Sequence, residues 1–234
     1  MVALDTTNLL LAELDRSVLD ALAPHMERTS FKQGFYFYRH GELLRSAWFL
    51  ESGLSSHITT LSDGFVVETS AIGRDSALGL SPDLNPRPAF GDCVAQVSGS
   101  GLRIDLPRLR EVCEAHPSLR RRLDVAQELL SSDSRQSAAC LARHEVEPRM
   151  CRWLLRCQDR VQSDELPLTQ EFLSHMLGTQ RSTVSVTAGV LEADGLIRYS
   201  RGRIAVLDRA GLEVRACECY ATMRERAREL GFRL

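Results

Sequence analysis

Between residues 8 and 22 leucines fall at helical spacing among Glu13, Asp15 and Asp20, which predicts a short amphipathic helix ending near Pro24. The period then changes. Over residues 31–106 short β-branched and aromatic runs are broken by Gly34, Gly41, Gly53, the pair Asp63-Gly64 and Gly73. Strands separated by turn signals about every 8 to 12 residues predict a small antiparallel barrel or sandwich. Asp63-Gly64 lies between two alternating runs and is the strongest hairpin signal. A proline-rich surface loop interrupts the strands at 81–89, and residues 90–106 complete them.

From Pro117 the spacing is helical again. Leu119, Leu123, Ala126 and Leu130 step by 4, 3 and 4 residues, the spacing of a coiled-coil seam, and Ser134, Ser137 and Leu141 continue it with poorer residues. This stripe predicts a long helix that pairs with a second copy of the chain; a helix packed on its own barrel would carry the same stripe. Residues 145–161 form a further helix with Val146, Met150, Leu154, Cys157 and Val161 on one face, so the hinge between domains falls near 141–145.

Residues 168–207 have the pattern of a helix-turn-helix followed by a hairpin. Thr169 is placed to cap a short helix whose Phe172, Leu173, Met176 and Leu177 face inward, and Gly178 permits a sharp turn. Thr179 is placed to cap a second helix, in which Val184, Ala188 and Leu191 form the buried stripe. The opposite face presents Arg181, Ser182, Ser185 and Gly189, small polar residues and one arginine that suit a helix lying deep in a DNA major groove. There an arginine reads guanine O6 and N7, serines reach base or phosphate, and Val186 could meet a thymine methyl. Gly195 ends the helix, and the following alternation around Arg201-Gly202 predicts a wing that brings Arg198, Arg201 and Arg203 to flanking phosphates. The DNA-contacting set is therefore Gln170, Gln180, Arg181, Ser182, Thr183, Ser185, Arg201 and Arg203.

A length of 234 residues favours two domains, and 44% hydrophobic with 26% charged residues excludes a disordered or fibrous chain. The net charge of −2 is uneven: residues 143–234 carry 15 arginines against 13 acidic residues. That balance permits phosphate binding without requiring it. Seven cysteines without regular spacing predict reduced thiols rather than a disulfide framework. The first twenty residues lack the basic flank of a signal peptide and no run is long and apolar enough to span a bilayer, so a cytoplasmic protein is expected. Phosphate-binding glycine loops, a His-x-x-x-His pair and a Gly-x-Ser-x-Gly elbow are all missing, so the chain does not read as an enzyme.

Metal binding is not expected either. Cys217 and Cys219 fall on a predicted continuous C-terminal helix, where residues two apart face different sides, and His40, His57, His116 and His144 show no ligand spacing.

With these residues in place the chain resembles the Crp/Fnr family of transcription regulators over roughly residues 15–210. The marks are Gly34 to Glu42, the Trp48-Phe-Leu-x-Ser-Gly-Leu54 stretch, the segment 73–80, and above all Thr169-Gln-x-x-Leu173, the run 177–184 and Leu191-x-x-x-Gly-Leu-Ile197. The resemblance implies an α+β chain: a cyclic-nucleotide-binding-like antiparallel β-roll at 1–116, a long dimerisation helix and hinge at 117–142, and a winged helix-turn-helix with a C-terminal helix at 143–234. It implies a homodimer formed through the 117–141 helix, near-palindromic DNA operators, and RNA polymerase as a further partner. The alternative is a small-molecule-responsive module whose winged helix docks on a protein.

The effector pocket departs from the family pattern. Arg87 and Ala89 match the phosphate-binding arginine and the alanine after it, whereas the glutamate position falls on Ala77 and the Ser/Thr position on Pro88. Ser134 and Arg135 match the helix segment that meets the base. Without the carboxylate, and with proline removing a donor, cyclic nucleotide is not an expected cofactor. An iron–sulfur cluster is not expected, because no cysteine precedes Cys93.

Overall fold

The computed structural model describes residues 4–232. The first three residues of the expected roll domain and the last two of the expected DNA-binding domain lie outside them.

The predicted N-terminal helix is two pieces, α1 (Leu9–Ala12) and α2 (Arg16–Leu22), followed by a 3₁₀ turn at Ala23–His25. Asn8 caps α1 by accepting from the N–H groups of Leu10 and Leu11, and its amide donates to the Leu50 and Ser76 carbonyls. The strands of the roll are β1 (Glu27–Phe31), β2 (Tyr36–Tyr38), β3 (Ser46–Leu50), β4 (Leu54–Thr60), β5 (Val66–Ile72), β6 (Ala77–Leu78), β7 (Asp92–Val97) and β8 (Gly99–Asp105). They form two antiparallel four-stranded sheets, ordered β1-β8-β3-β6 and β2-β7-β4-β5. Asp63-Gly64 makes the turn between β4 and β5, with Gly64 at φ 84° and Asp63 accepting from the Phe65 N–H.

α3 (Leu106–Ala115) leads into α4 (Pro117–Arg143), and proline at the start of each suits a position whose N–H has no helical partner. α5 (Val146–Val161) follows after two residues, at the expected hinge. Next come β9 (Glu165–Leu166), α6 (Gln170–Leu177), α7 (Arg181–Ala193), β10 (Ile197–Ser200) and β11 (Arg203–Val206). The chain closes with α8 (Arg209–Arg215) and α9 (Cys219–Glu229), the latter lying along α4.

Two expectations need correction. Leu119, Leu123 and Ala126, read as an intersubunit seam, are buried by their own chain with Leu10, Leu22, Leu109 and Phe232. Ser134 bonds back to the Leu130 carbonyl, and Ser137 accepts from Arg152. An apolar stripe reports that something covers a helix and is silent about whose chain does so. The second correction is that the C-terminal helix is broken: α8 stops at Arg215, Ala216 is extended, and Cys217 lies between the two helices.

α5 is buried nearly all round. Met150, Leu154 and Cys157 face the core as predicted, but Arg149, Arg152, Arg156 and Arg160 on the other face are also at most 9% exposed. Each reaches a different neighbour. Arg149 donates to the Leu177 carbonyl at the end of α6, Arg152 to Ser137 and Arg156 to Asp133 on α4, and Arg160 to Asp75 beyond β5 at 2.8 Å. The first glycine of the 73–80 segment has its reason here, since a Cβ on Gly73 would come within 2.7 Å of the Arg160 Cβ. Burying the guanidiniums is tolerable only because carbonyl, hydroxyl and carboxylate oxygens meet them.

Candidate nucleic-acid interface

Thr169 caps α6 as its position predicts, accepting from the Phe172 N–H at 3.2 Å. Leu173, Met176 and Leu177 are buried, whereas Phe172 is only partly so. Gly178 ends the helix in the left-handed region at φ 54°. Thr179 does not cap α7; the capping position is Gln180, with no side-chain bond to the helix. The leading N–H groups of α7 are therefore left for an outside acceptor, and no acidic residue occupies its first turn.

Val184, Thr187, Ala188 and Leu191 turn inward from α7. Gln180, Arg181, Ser182, Ser185 and Gly189 are exposed, and Thr183 is half-buried. Val186 is 69% exposed on the same outer face, an unpaired apolar surface of the kind a thymine methyl covers.

The wing is the β10–β11 hairpin. Arg201 and Gly202 have φ 48° and 76°, so both central residues of the turn are left-handed, as a two-residue hairpin of matching twist requires. A Cβ on Gly202 would meet the Thr169 methyl at 3.4 Å, which puts the wing tip beside the start of α6. Tyr199 on the wing is raised in pKa by burial and lies against the Gln170 backbone, with Arg181 near enough to oppose the shift. Its N–H donates to Glu192 of α7 at 2.9 Å. Half-buried Gln170, the wing and the first turn of α7 are thus neighbours, and Arg198, Arg201 and Arg203 are exposed on the wing.

The residues matched to an effector pocket are not brought together by any hydrogen bond among the described residues. Ala77 is buried in β6 opposite Phe49, and Arg87 is exposed and held by Asp83 at 2.6 Å. Arg135 bonds Ser131 within α4 and pairs with Glu128. A narrow cleft with only about 30 Å³ of room lies where the roll, α4, α5 and α9 meet and is lined by Ile72, Asp75, Asp133, Arg156, Arg160 and Tyr220, among others. Sequence reading missed it, although Arg149, Arg152, Arg156 and Arg160 recur every three or four residues.

A second unpredicted cluster lies at the hinge. Cys140, His144, Cys217 and Cys219 converge, with their ligand atoms all within 4.8 Å of one another. No helix among the described residues is long and apolar enough to cross a membrane.

Residues 148–215 match the family model of the Crp-like helix-turn-helix domain. No curated protein matches the chain. Among solved structures it is similar to FixK2 from Bradyrhizobium japonicum, at 17% identity and TM-score 0.71, covering 82% of this chain and 98% of that one. A CRP-family transcriptional regulator from Thermus thermophilus gives 22% and 0.69, covering 80% and 96%. The c-di-GMP responsive global regulator CLP from Xanthomonas campestris gives 18% and 0.66, covering 83% and 100%.

Proposed function

The chain has the fold of the Crp/Fnr transcription regulators and carries their helix-turn-helix domain, and on that premise we propose that it is a sequence-specific DNA-binding regulator acting as a homodimer. The observation that carries this reading is the outer face of α7, where Gln180, Arg181, Ser182, Ser185 and Val186 are all exposed while Val184, Ala188 and Leu191 hold the helix from behind. In this reading Arg181 reads guanine, Ser182, Thr183 and Ser185 reach base edges or phosphate, and Gln170, Arg201 and Arg203 hold the flanking backbone. The alternative of a winged helix that docks on protein has no acidic or broadly apolar recognition face to support it.

The homodimer rests on α4. Its inner stripe is occupied by its own chain, so a second copy would pack on the outer face, where Arg121, Asp124, Ser131, Arg135 and Ala138 are exposed. Two recognition helices set about one DNA turn apart would favour a near-palindrome. At a promoter the partner to be met is RNA polymerase. No cyclic nucleotide is assigned to the roll, because Ala77 offers no carboxylate and Arg87 is engaged by Asp83.

Selection of DNA from a random pool by the full chain tests the reading. Enrichment of two related half-sites with centres about 10 base pairs apart is expected. Retention of duplex without any sequence preference would overturn it.

A further inference from the structure

We propose that Cys140, His144, Cys217 and Cys219 form a closed, structural Zn²⁺ site that fastens the end of α4 to the junction of α8 and α9. Cys140 and His144 are four residues apart at the end of α4 and so share a face. Cys217 and Cys219 sit at the break between α8 and α9, and the loss of helical geometry there lets residues two apart point to one place. The Cys140 and Cys217 sulfurs are 3.6 Å apart, and Cys219 Sγ lies 3.6 Å from His144 Nδ1. With Zn–S near 2.3 Å and Zn–N near 2.0 Å, the edges of a tetrahedron are roughly 3.5 to 3.8 Å. Both separations fit.

The surroundings are those of a ligand set rather than of packed thiols. His144 Nε2 donates to Glu218 at 3.1 Å, which leaves Nδ1 as the free lone pair facing the sulfurs, the carboxylate–histidine arrangement that orients a metal-binding imidazole. The Gln136 amide donates to Cys219 Sγ at 3.0 Å. The three sulfurs are buried, which suits a site with no open coordination position.

Charge supplies an independent observation. Arg149 and Arg152 are buried against this corner, and Arg149 Nε with Arg152 Nε and Nη1 lack hydrogen-bond partners. Zn²⁺ with three thiolates and a neutral imidazole carries a net charge of about −1, which complements the two buried guanidiniums beside it. Binding forms three Zn–S bonds and one Zn–N bond and releases the thiol protons to solvent, with no change of oxidation state. The site would fix α8 and α9 to α4 on either side of the 144–145 hinge.

The test is metal analysis of the full chain, purified with reductant and supplied with zinc. About one zinc per chain is expected, falling below about a tenth in Cys140→Ser and Cys219→Ser and unchanged in Cys113→Ser. Replacing zinc by Co²⁺ in the unaltered chain gives a second reading that needs no variant to fold. Intense visible bands of tetrahedral cobalt with thiolate-to-metal charge transfer support the site. A weak octahedral spectrum, substoichiometric zinc, or zinc retained by folded Cys140→Ser and Cys219→Ser would each refute it.

Discussion

Trp153 Nε1 donates to Glu68 Oε1 at 2.9 Å, so α5 is hydrogen-bonded to a buried carboxyl on β5 of the roll. Ser56 on β4 donates to the other oxygen of the same carboxyl. Burial raises the pKa of Glu68, and Arg156 opposes the shift. Trp153→Phe keeps most of the apolar volume and removes the donor, leaving Glu68 Oε1 unpaired. We expect a loss of about 1 to 3 kcal/mol in urea unfolding. A change smaller than about 0.5 kcal/mol would mean that this hydrogen bond contributes little to holding α5 on the roll.

Arg181, at the start of α7, and Arg203, on the β10–β11 hairpin, are both exposed, and the proposed reading gives them different roles. Arg181→Ala is expected to weaken binding to the selected operator by about 1 to 3 kcal/mol and to relax preference at one base. Arg203→Ala should weaken all sequences evenly and lower the salt dependence by about one counterion. Fluorescence anisotropy over a salt series with operator and scrambled duplexes separates the two. Equal behaviour of both variants would remove the distinction between base reading and phosphate contact.

His57 connects to pH. Its ring bridges Tyr38 and Ser70, with Nε2 meeting the Tyr38 hydroxyl at 2.6 Å and Nδ1 meeting Ser70 Oγ at 3.1 Å. Burial lowers its pKa from 6.5 to about 4. The folded chain therefore keeps His57 neutral where the unfolded chain protonates, so its contribution is present above pH 6.5 and is lost as pH falls towards 4. In urea midpoints taken across that window, His57→Gln should show a shallower decline than the unaltered chain. Parallel declines would place the acid sensitivity elsewhere.

Legibility in the sequence followed how local each signal was. The helix-turn-helix depends on caps, a turn glycine and a 3.6-residue stripe within a short window, and Thr169, Gly178, Val184 and Leu191 all occupy the predicted places. The wing was legible for the same reason, since Arg201-Gly202 forms the turn by itself. What failed was non-local. Leu119 and Leu123 needed a covering surface, and nothing in their spacing says that α1, α3 and Phe232 beyond α9 provide it. The arginines of α5 carry no signal in the sequence, because Asp133, Asp75 and Ser137, which meet them, arrive from elsewhere in the chain. Cys217 and Cys219 were placed on one continuous helix, and the break after Arg215 reverses that inference.

Gly178 has a second duty besides its turn. A Cβ there would meet Leu141 at 3.4 Å and Val67 at 3.7 Å, because the corner of the helix-turn-helix rests on the strand beside the 63–64 hairpin and on the end of the long helix. The reading head is seated directly on the roll rather than hung from a tether. A chimera that grafts a related helix-turn-helix onto this base would inherit a mismatched seat unless that corner were transplanted with it.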